Sequence, residues 1–253
     1  MISFLYEVIN MAWKILVTIL ISYLIGSINP AYILGRLRGI DIRQKGSGNA
    51  GASNATIVLG KWVGIFSGVF DILKSTAVML LFPLIFKDVP FIAEIAGVSC
   101  IIGHIFPLYM KFKGGKGLAC FGGLVLAIDP RLFGLLLTAE ILLLLMVDYI
   151  CIVPITGVII VPIIYGIFGT SGLGWLWRAA GGWWGAAIIG IASVVMLQRH
   201  QQNIRRIAKG QELRFSYIWM SEENKKKELQ RVGKLEEKMA FEAQSEGKVE
   251  ENA

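Results

Sequence analysis

Three stretches of this chain gather residues that could handle an anion. "DIRQKGSGNAGASN" runs from Asp41 to Asn54, "KGGKG" from Lys113 to Gly117, and "QRHQQNIRR" from Gln198 to Arg206. The first sets Arg43 among Gly46, Ser47, Gly48, Asn49 and Asn54. Glycines let a backbone approach an anion closely, and successive N–H groups can form a concave nest. A helix beginning near Ser53 or Asn54 would add its positive end. The second stretch flanks Gly114 and Gly115 with the ammonium groups of Lys113 and Lys116. In the third, His200 and Asn203 share one helix face, and Arg199, Asn203 and Arg206 form an overlapping row. The chemistry these residue types suit is the binding of an anion.

Other signals carry less. Gly46, Gly48 and Gly51 match G-x-G-x-x-G, but no βαβ pattern surrounds them, so a dinucleotide site is not expected. The Lys113–Gly117 run lacks the spacing of a nucleotide-binding P-loop. Cys100, Cys120 and Cys151 have neither metal nor disulfide spacing and read as packing residues. No metal site is expected. Asp71 and Lys74 stand one helical turn apart inside an apolar run and can neutralise each other, though intramembrane charges are functional by default. Glu140 is read as facing the interior of a helical bundle, and for His104 a helix-packing or hydrogen-bonding role stands beside a catalytic one.

The elements that must position these residues follow from hydrophobicity. The chain has 253 residues, 55% of them hydrophobic, and a mean hydropathy of +0.63. That excludes an ordinary soluble domain. A helix needs about 20 apolar residues to cross a hydrocarbon core. Seven candidate spans lie at 12–34, 62–86, 91–110, 117–128, 132–147, 150–168 and 183–198. The fold expected is therefore all-α and polytopic, and no cleavable signal peptide is expected. Loops 36–61 and 111–117 and the segment 199–214 hold thirteen Lys and Arg, against three (Lys87, Arg131, Arg178) in the alternate loops. Basic loops stay in the cytoplasm, so the N-terminus is expected outside and the C-terminus inside. Trp175, Trp177, Trp183 and Trp184 read as an interfacial belt at the outer end of the last span. Residues 1–215 form the expected membrane domain and 216–253 a charged cytosolic tail. Within it, 221–253 carries nine Glu and seven Lys or Arg, a pattern for a solvated segment with some helix.

Taken in order, the motifs resemble a known family. G-S-I-N-P-A-Y-I-L-G from Gly26, D-I-R-x-x-G-S-G-N-x-G-A-x-N from Asp41, G-H-x-F-P with K-G-G-K-G from Gly103, and R-H-x-x-N-I-x-R from Arg199 look like the acyl-phosphate-dependent glycerol-3-phosphate acyltransferases of bacteria, the PlsY type. The resemblance covers about residues 10–215. It implies a seven-helix enzyme of the bacterial cytoplasmic membrane with its site at the cytoplasmic face. Such an enzyme transfers a fatty acyl group from acyl phosphate to the sn-1 hydroxyl of glycerol 3-phosphate, giving lysophosphatidic acid and phosphate. It implies no metal or nucleotide cofactor and no nucleic-acid partner, and leaves a homo-oligomer open.

By the same resemblance Ser47, Lys116, His200 and Asn203 are the catalytic candidates. Arg43, Gly46, Gly48, Asn49, Asn54, Lys113, Gly114, Gly115 and Arg206 are the phosphate-binding ones. The attacking hydroxyl needs a base, which is either His200 or a phosphate oxygen of the substrate. Where the family has N-x-x-R this chain has Ile57 at the Arg position. Its R-Y-x-S-L-A-S stretch is "DYICIVP" here, with Cys151 and Pro154 at the serine positions, and its D-x-x-K-G ends here in Ser75. Two other readings stand beside this one: a transporter of a small anion or lipid, and a divergent paralogue with another acceptor or little activity. A non-catalytic scaffold using the charged tail is a third.

Overall fold

The structure, a computed structural model, describes residues 1–149, 151–168 and 182–210, with scattered positions between 212 and 232. Trp175, Trp177, Arg178 and most of the charged tail lie outside the described residues. Among the described residues there are helices and no strand, as an apolar chain that must satisfy its own backbone requires. The helices are α1 (Ile2–Ser27), α2 (Pro30–Leu37), α3 (Ala52–Leu59), α4 (Lys61–Ile85), α5 (Ile92–Ile105), α6 (Leu118–Ile128), α7 (Pro130–Val147), α8 (Ile152–Phe168) and α9 (Gly182–Ala208). Single 3-10 turns stand at Ile42–Gln44 and Leu108–Met110.

Each expected span has a helix. Among the described residues, four segments are long and apolar enough to cross a membrane: Ile2–Ser27, Lys61–Ile85, Ile92–Met110 and Pro130–Val147. The chain is an all-helical integral membrane protein. The first span begins and ends earlier than 12–34. Its C-terminal limit has a local cause. Asn29 is extended, its side chain accepts the Tyr32 N–H at 2.9 Å, and Pro30 opens α2 at the position where a missing N–H costs nothing. The fourth expected span, α6, has 11 residues and rises only about 16 Å at 1.5 Å per residue.

The chain divides into two compact units, Met1–Leu137 with Thr156–Arg199, and Thr138–Ile155 with His200–Ala253. In the first unit α1 packs through small and polar side chains, as helices do where lipid supplies no drive to bury apolar ones. The residues α1 buries are Thr18, Ser22, Gly26 and Ser27, while its leucines and most of its isoleucines face outward and Ile15 and Ile25 pack half-buried against α4 and α5. Spacing of four puts Thr18, Ser22 and Gly26 on one stripe. A Cβ on Gly26 would stand 2.0 Å from the Cys100 carbonyl oxygen, and one on Gly103 would stand 2.1 Å from that of Tyr23. These two glycines let α1 and α5 touch backbone to backbone. A core of Met79, Ile101, Ile105, Phe121, Leu124, Val158, Ile189 and neighbours fills the space among α4, α5, α6, α8 and α9. Cys100, Cys120 and Cys151 are buried thiols, as packing residues should be.

In the second unit the turn after α7 is held by its own side chain. Asp148 has φ 62°, and its carboxylate accepts the N–H and the Oγ–H of Ser216, each at 2.7 Å.

Candidate active site

The Asp41–Asn54 stretch is a built loop. Asn54, 1% exposed, is its hub. Its Nδ2 donates to the carbonyls of Ile42 (2.8 Å), Lys45 (3.0 Å) and Asn49 (2.8 Å), and its Oδ1 accepts the Ser47 N–H at 2.9 Å. Gly46 and Gly48 have φ of 59° and 71°. A Cβ on Gly46 would lie 2.2 Å from Asn54 Oδ1, so only glycine lets the loop wrap this amide. The polar atoms of Asn54, expected at a phosphate, are turned inward onto the loop. The Gly48 N–H likewise goes to the Lys45 carbonyl at 3.1 Å. Ser47 is exposed and Asn49 half-buried. Gly51 precedes α3 without a side-chain cap, leaving the first-turn N–H groups of that helix beside them.

Arg43 is also committed to structure. Its Nε and Nη2 donate to Asp41 at 3.0 and 2.8 Å, and its Nη1 donates to the Met110 carbonyl at 2.8 Å. Its guanidinium stacks 4.7 Å from the Tyr32 ring centre. Three of its five N–H donors are used in this way. The guanidinium holds the Asp41 carboxyl down at about 2, chiefly through the side-chain hydrogen bond. The Met110 bond has a larger consequence, because it staples the first polar loop to the segment leading into the second.

That second loop, Lys113–Gly117, folds back onto the end of α5. The Gly114 N–H donates to the Ile105 carbonyl (3.0 Å) and the Gly115 N–H to that of His104 (3.1 Å). These glycines were expected to offer their N–H groups to phosphate. The structure gives them another task, since a helix end leaves carbonyls that need donors. Cβ atoms there would meet the His104 carbonyl at 2.1 Å and the His104 Nε2 at 2.0 Å. Lys111 and Phe112 take left-handed φ of 55° and 58° just before the loop. Non-glycine residues hold that conformation at a cost, a pattern that gathers at functional sites. Lys113 is exposed, and Lys116 is half-buried at the residue before Gly117, the uncapped N-terminus of α6.

In the second unit, His200 is 4% exposed near the end of α9. Asn203, one turn on, donates from Nδ2 to Glu212 Oε1 at 2.8 Å, which turns the amide and sets its Oδ1. Glu212 was absent from the sequence reading. Its signal was an acid nine residues beyond Asn203, readable only once the chain was seen to fold back. Arg206 is exposed on the last turn. The Asp71–Lys74 pair expected from spacing forms at 2.7 Å, and His104 joins it.

By its fold this is an all-helical integral membrane protein with two glycine loops stapled together in its first unit. The comparisons with known proteins agree and are more specific. The glycerol-3-phosphate acyltransferase family model matches residues 16–210, and the chain belongs to that family. Glycerol-3-phosphate acyltransferase of Bacillus velezensis is 36% identical over 75% of this chain and 91% of its own. That of Thermoanaerobacter pseudethanolicus is 34% identical over 77% of this chain and 92% of its own. Among solved structures, that of PlsY, an integral membrane glycerol 3-phosphate acyltransferase in its glycerol 3-phosphate form, superposes with a TM-score of 0.68. It is 29% identical, and the match covers 81% of this chain and 96% of that one. The lysophosphatidic acid form of PlsY gives a TM-score of 0.65.

Proposed function

We propose that this chain transfers a fatty acyl group from acyl phosphate to the sn-1 hydroxyl of glycerol 3-phosphate, yielding lysophosphatidic acid and inorganic phosphate. The observation that carries the reading is the Arg43–Met110 staple, which brings the Ser47 loop and the Lys116 loop together in one unit of a chain with this family membership. Acyl phosphate is a mixed anhydride. The hydroxyl oxygen bonds to the acyl carbon, the bond from that carbon to the phosphate oxygen breaks, and phosphate departs with its electron pair. Phosphate leaves readily, so no acyl-enzyme on Ser or Cys is required. The protein must hold two phosphate-bearing molecules in register and stabilise charge at the carbonyl oxygen. Lys116 and Ser47 fit those tasks. The hydroxyl proton goes to His200 or to a phosphate oxygen of the substrate.

The finer arrangement belongs to the same proposal. Seven spans place the N-terminus outside, both glycine loops and the C-terminus on the cytoplasmic side of a bacterial inner membrane, and 216–253 as a cytosolic extension of a membrane domain over 1–215. The Lys/Arg asymmetry supports this. A second reading, a different acceptor, is favoured by Ile57. It is 59% exposed on α3, where the resemblance implies an arginine. The test is phosphate release from acyl phosphate by the purified protein, with and without glycerol 3-phosphate. Release that rises with glycerol 3-phosphate supports the first reading. No such rise, with another hydroxyl acceptor stimulating release, supports the second.

A further inference from the structure

The chemistry proposed above leaves unused a buried cluster of titratable side chains on α4 and α5. Asp71, Lys74 and His104 are 3%, 5% and 3% exposed. Lys74 Nζ lies 2.7 Å from Asp71 Oδ1 and 3.2 Å from His104 Nδ1, and the same ring nitrogen is 3.3 Å from Asp71 Oδ1. A buried ion pair is a weak source of stability, because desolvating two charges offsets their attraction. Intramembrane charges are retained for a task.

The contacts of the cluster point to that task. Lys74 Nζ donates to the carbonyls of Gly26 and Ile28, each at 2.7 Å, where α1 stops. The residue after Ile28 is Asn29, whose Nδ2 donates to the Ala50 carbonyl at 2.9 Å, at the end of the Ser47 loop. Asn29 N–H meets Tyr109 Oη at 3.2 Å, and Tyr109 donates onward to the Ser27 carbonyl at 2.8 Å. On the other side, the His104 ring occupies the space that a side chain on Gly115 would fill, and the His104 carbonyl holds the Gly115 N–H. Gly115 adjoins Lys116. One ammonium group therefore bears on the break that carries the first loop and on the imidazole beneath the second.

We propose that the Asp71–Lys74–His104 cluster is a positioning device that sets Ser47 and Lys116 at the spacing the two phosphate-bearing substrates require. The proposal rests on the acyl-transfer reading of these loops. The three residues touch no substrate, and their effect on the reaction passes through Gly115 and Asn29. Misplacing a binding group by about 1 Å can cost on the order of 100-fold, so the cluster need move the loops only slightly to govern turnover.

The test uses the full chain in detergent, with folding checked by gel filtration and melting. Lys74→Met keeps a long side chain and removes the charge. The expected result is faster hydrogen exchange at the Gly114 and Gly115 amides and a rise of roughly 10- to 100-fold in KM for at least one phosphate substrate. Thr76→Val is the control. Its hydroxyl joins α4 to α6 through the Gly123 carbonyl and reaches neither loop, so both readouts stay at wild type. A folded Lys74→Met protein with wild-type exchange and wild-type KM for both substrates overturns the proposal. Should Lys74→Met fail to fold, Gly115→Ala decides, since it keeps every charge and pushes on the imidazole alone. A folded Gly115→Ala protein with unchanged KM refutes the positioning role, and a raised KM supports it. If the wild type has no activity on these substrates, the acyl-transfer reading falls, while the exchange measurement still decides whether the cluster holds the loop.

Discussion

Asn54→Asp tests whether Asn54 is the hub of its loop or a ligand of phosphate. The two side chains have the same shape, and Asp keeps an oxygen for the Ser47 N–H. It replaces the donor that faces the carbonyls of Ile42, Lys45 and Asn49 at 2.8–3.0 Å with a second acceptor. Each lost hydrogen bond contributes about 1 kcal/mol net, and a buried group left unsatisfied costs more. The two N–H donors of Asn54 are shared among the three carbonyls, so about 2 kcal/mol is lost before any repulsion between carboxylate and carbonyl oxygens. At roughly 1.4 kcal/mol per tenfold, that raises the open population of the loop by about 30-fold. The expected outcome is protease sensitivity at residues 44–50 and a rise in KM, with Asn54→Ala milder because it adds no charge. A ligand role predicts something else: Asn54→Asp would repel phosphate and raise KM while the loop stayed as protected as in wild type. Wild-type protection of 44–50 in both variants refutes the hub.

Four further outcomes are expected. Lys116→Ala should abolish turnover in a folded protein, and Lys116→Arg should fail too, because a planar fork does not replace a compact ammonium in a glycine-walled turn; near-normal rates in Lys116→Ala would remove Lys116 from the chemistry. Arg43 depresses the Asp41 carboxyl from 3.8 to about 2, so its contribution to stability is present above pH ~4 and lost as pH falls toward 2. The melting difference between wild type and Asp41→Asn should accordingly close over that window, and a pH-independent difference would contradict it. A cysteine at Gln44 should resist an impermeant reagent applied from outside, whereas one at Lys87 should react; equal labelling sinks the proposed orientation. Ile57→Arg should raise kcat/KM with glycerol 3-phosphate by about 10- to 100-fold, the worth of one charged hydrogen bond of roughly 1.5–3 kcal/mol. An unchanged rate would mean that the acceptor's charge is met elsewhere.

The helices were legible because their signal is local. Apolar runs long enough to span announce themselves, whereas the helix starts at Pro30 and Pro130 were not read from the sequence. The stop of α1 at Ser27 was not read, since Ile28 and the residues after Pro30 are as apolar as the helix before them. The Asn29 cap decides it, through one side-chain bond to Tyr32. The Asp71–Lys74 pair followed from spacing, but His104 did not, because it lies thirty residues away on another helix. Glu212 is the same case in the second unit.

The glycines show why the site was only half legible. A glycine run has one appearance and two causes, a backbone offered to a ligand or a backbone pressed against a neighbour. Composition cannot separate them, because the deciding fact is what stands opposite. Opposite Gly114 and Gly115 stands His104, and opposite Gly46 stands the Asn54 amide. The N–H groups of Ser47, Gly48, Gly114 and Gly115 are therefore bonded within the protein. On the proposed function, what these loops would present to an anion is chiefly side chains, Ser47, Asn49 and Lys116, carried on backbone that is already hydrogen-bonded. Donors fixed in advance need no reorganisation when charge develops on a substrate oxygen. On that proposal, the buried hydrogen bonds of the two loops would serve the chemistry by holding those few side chains still.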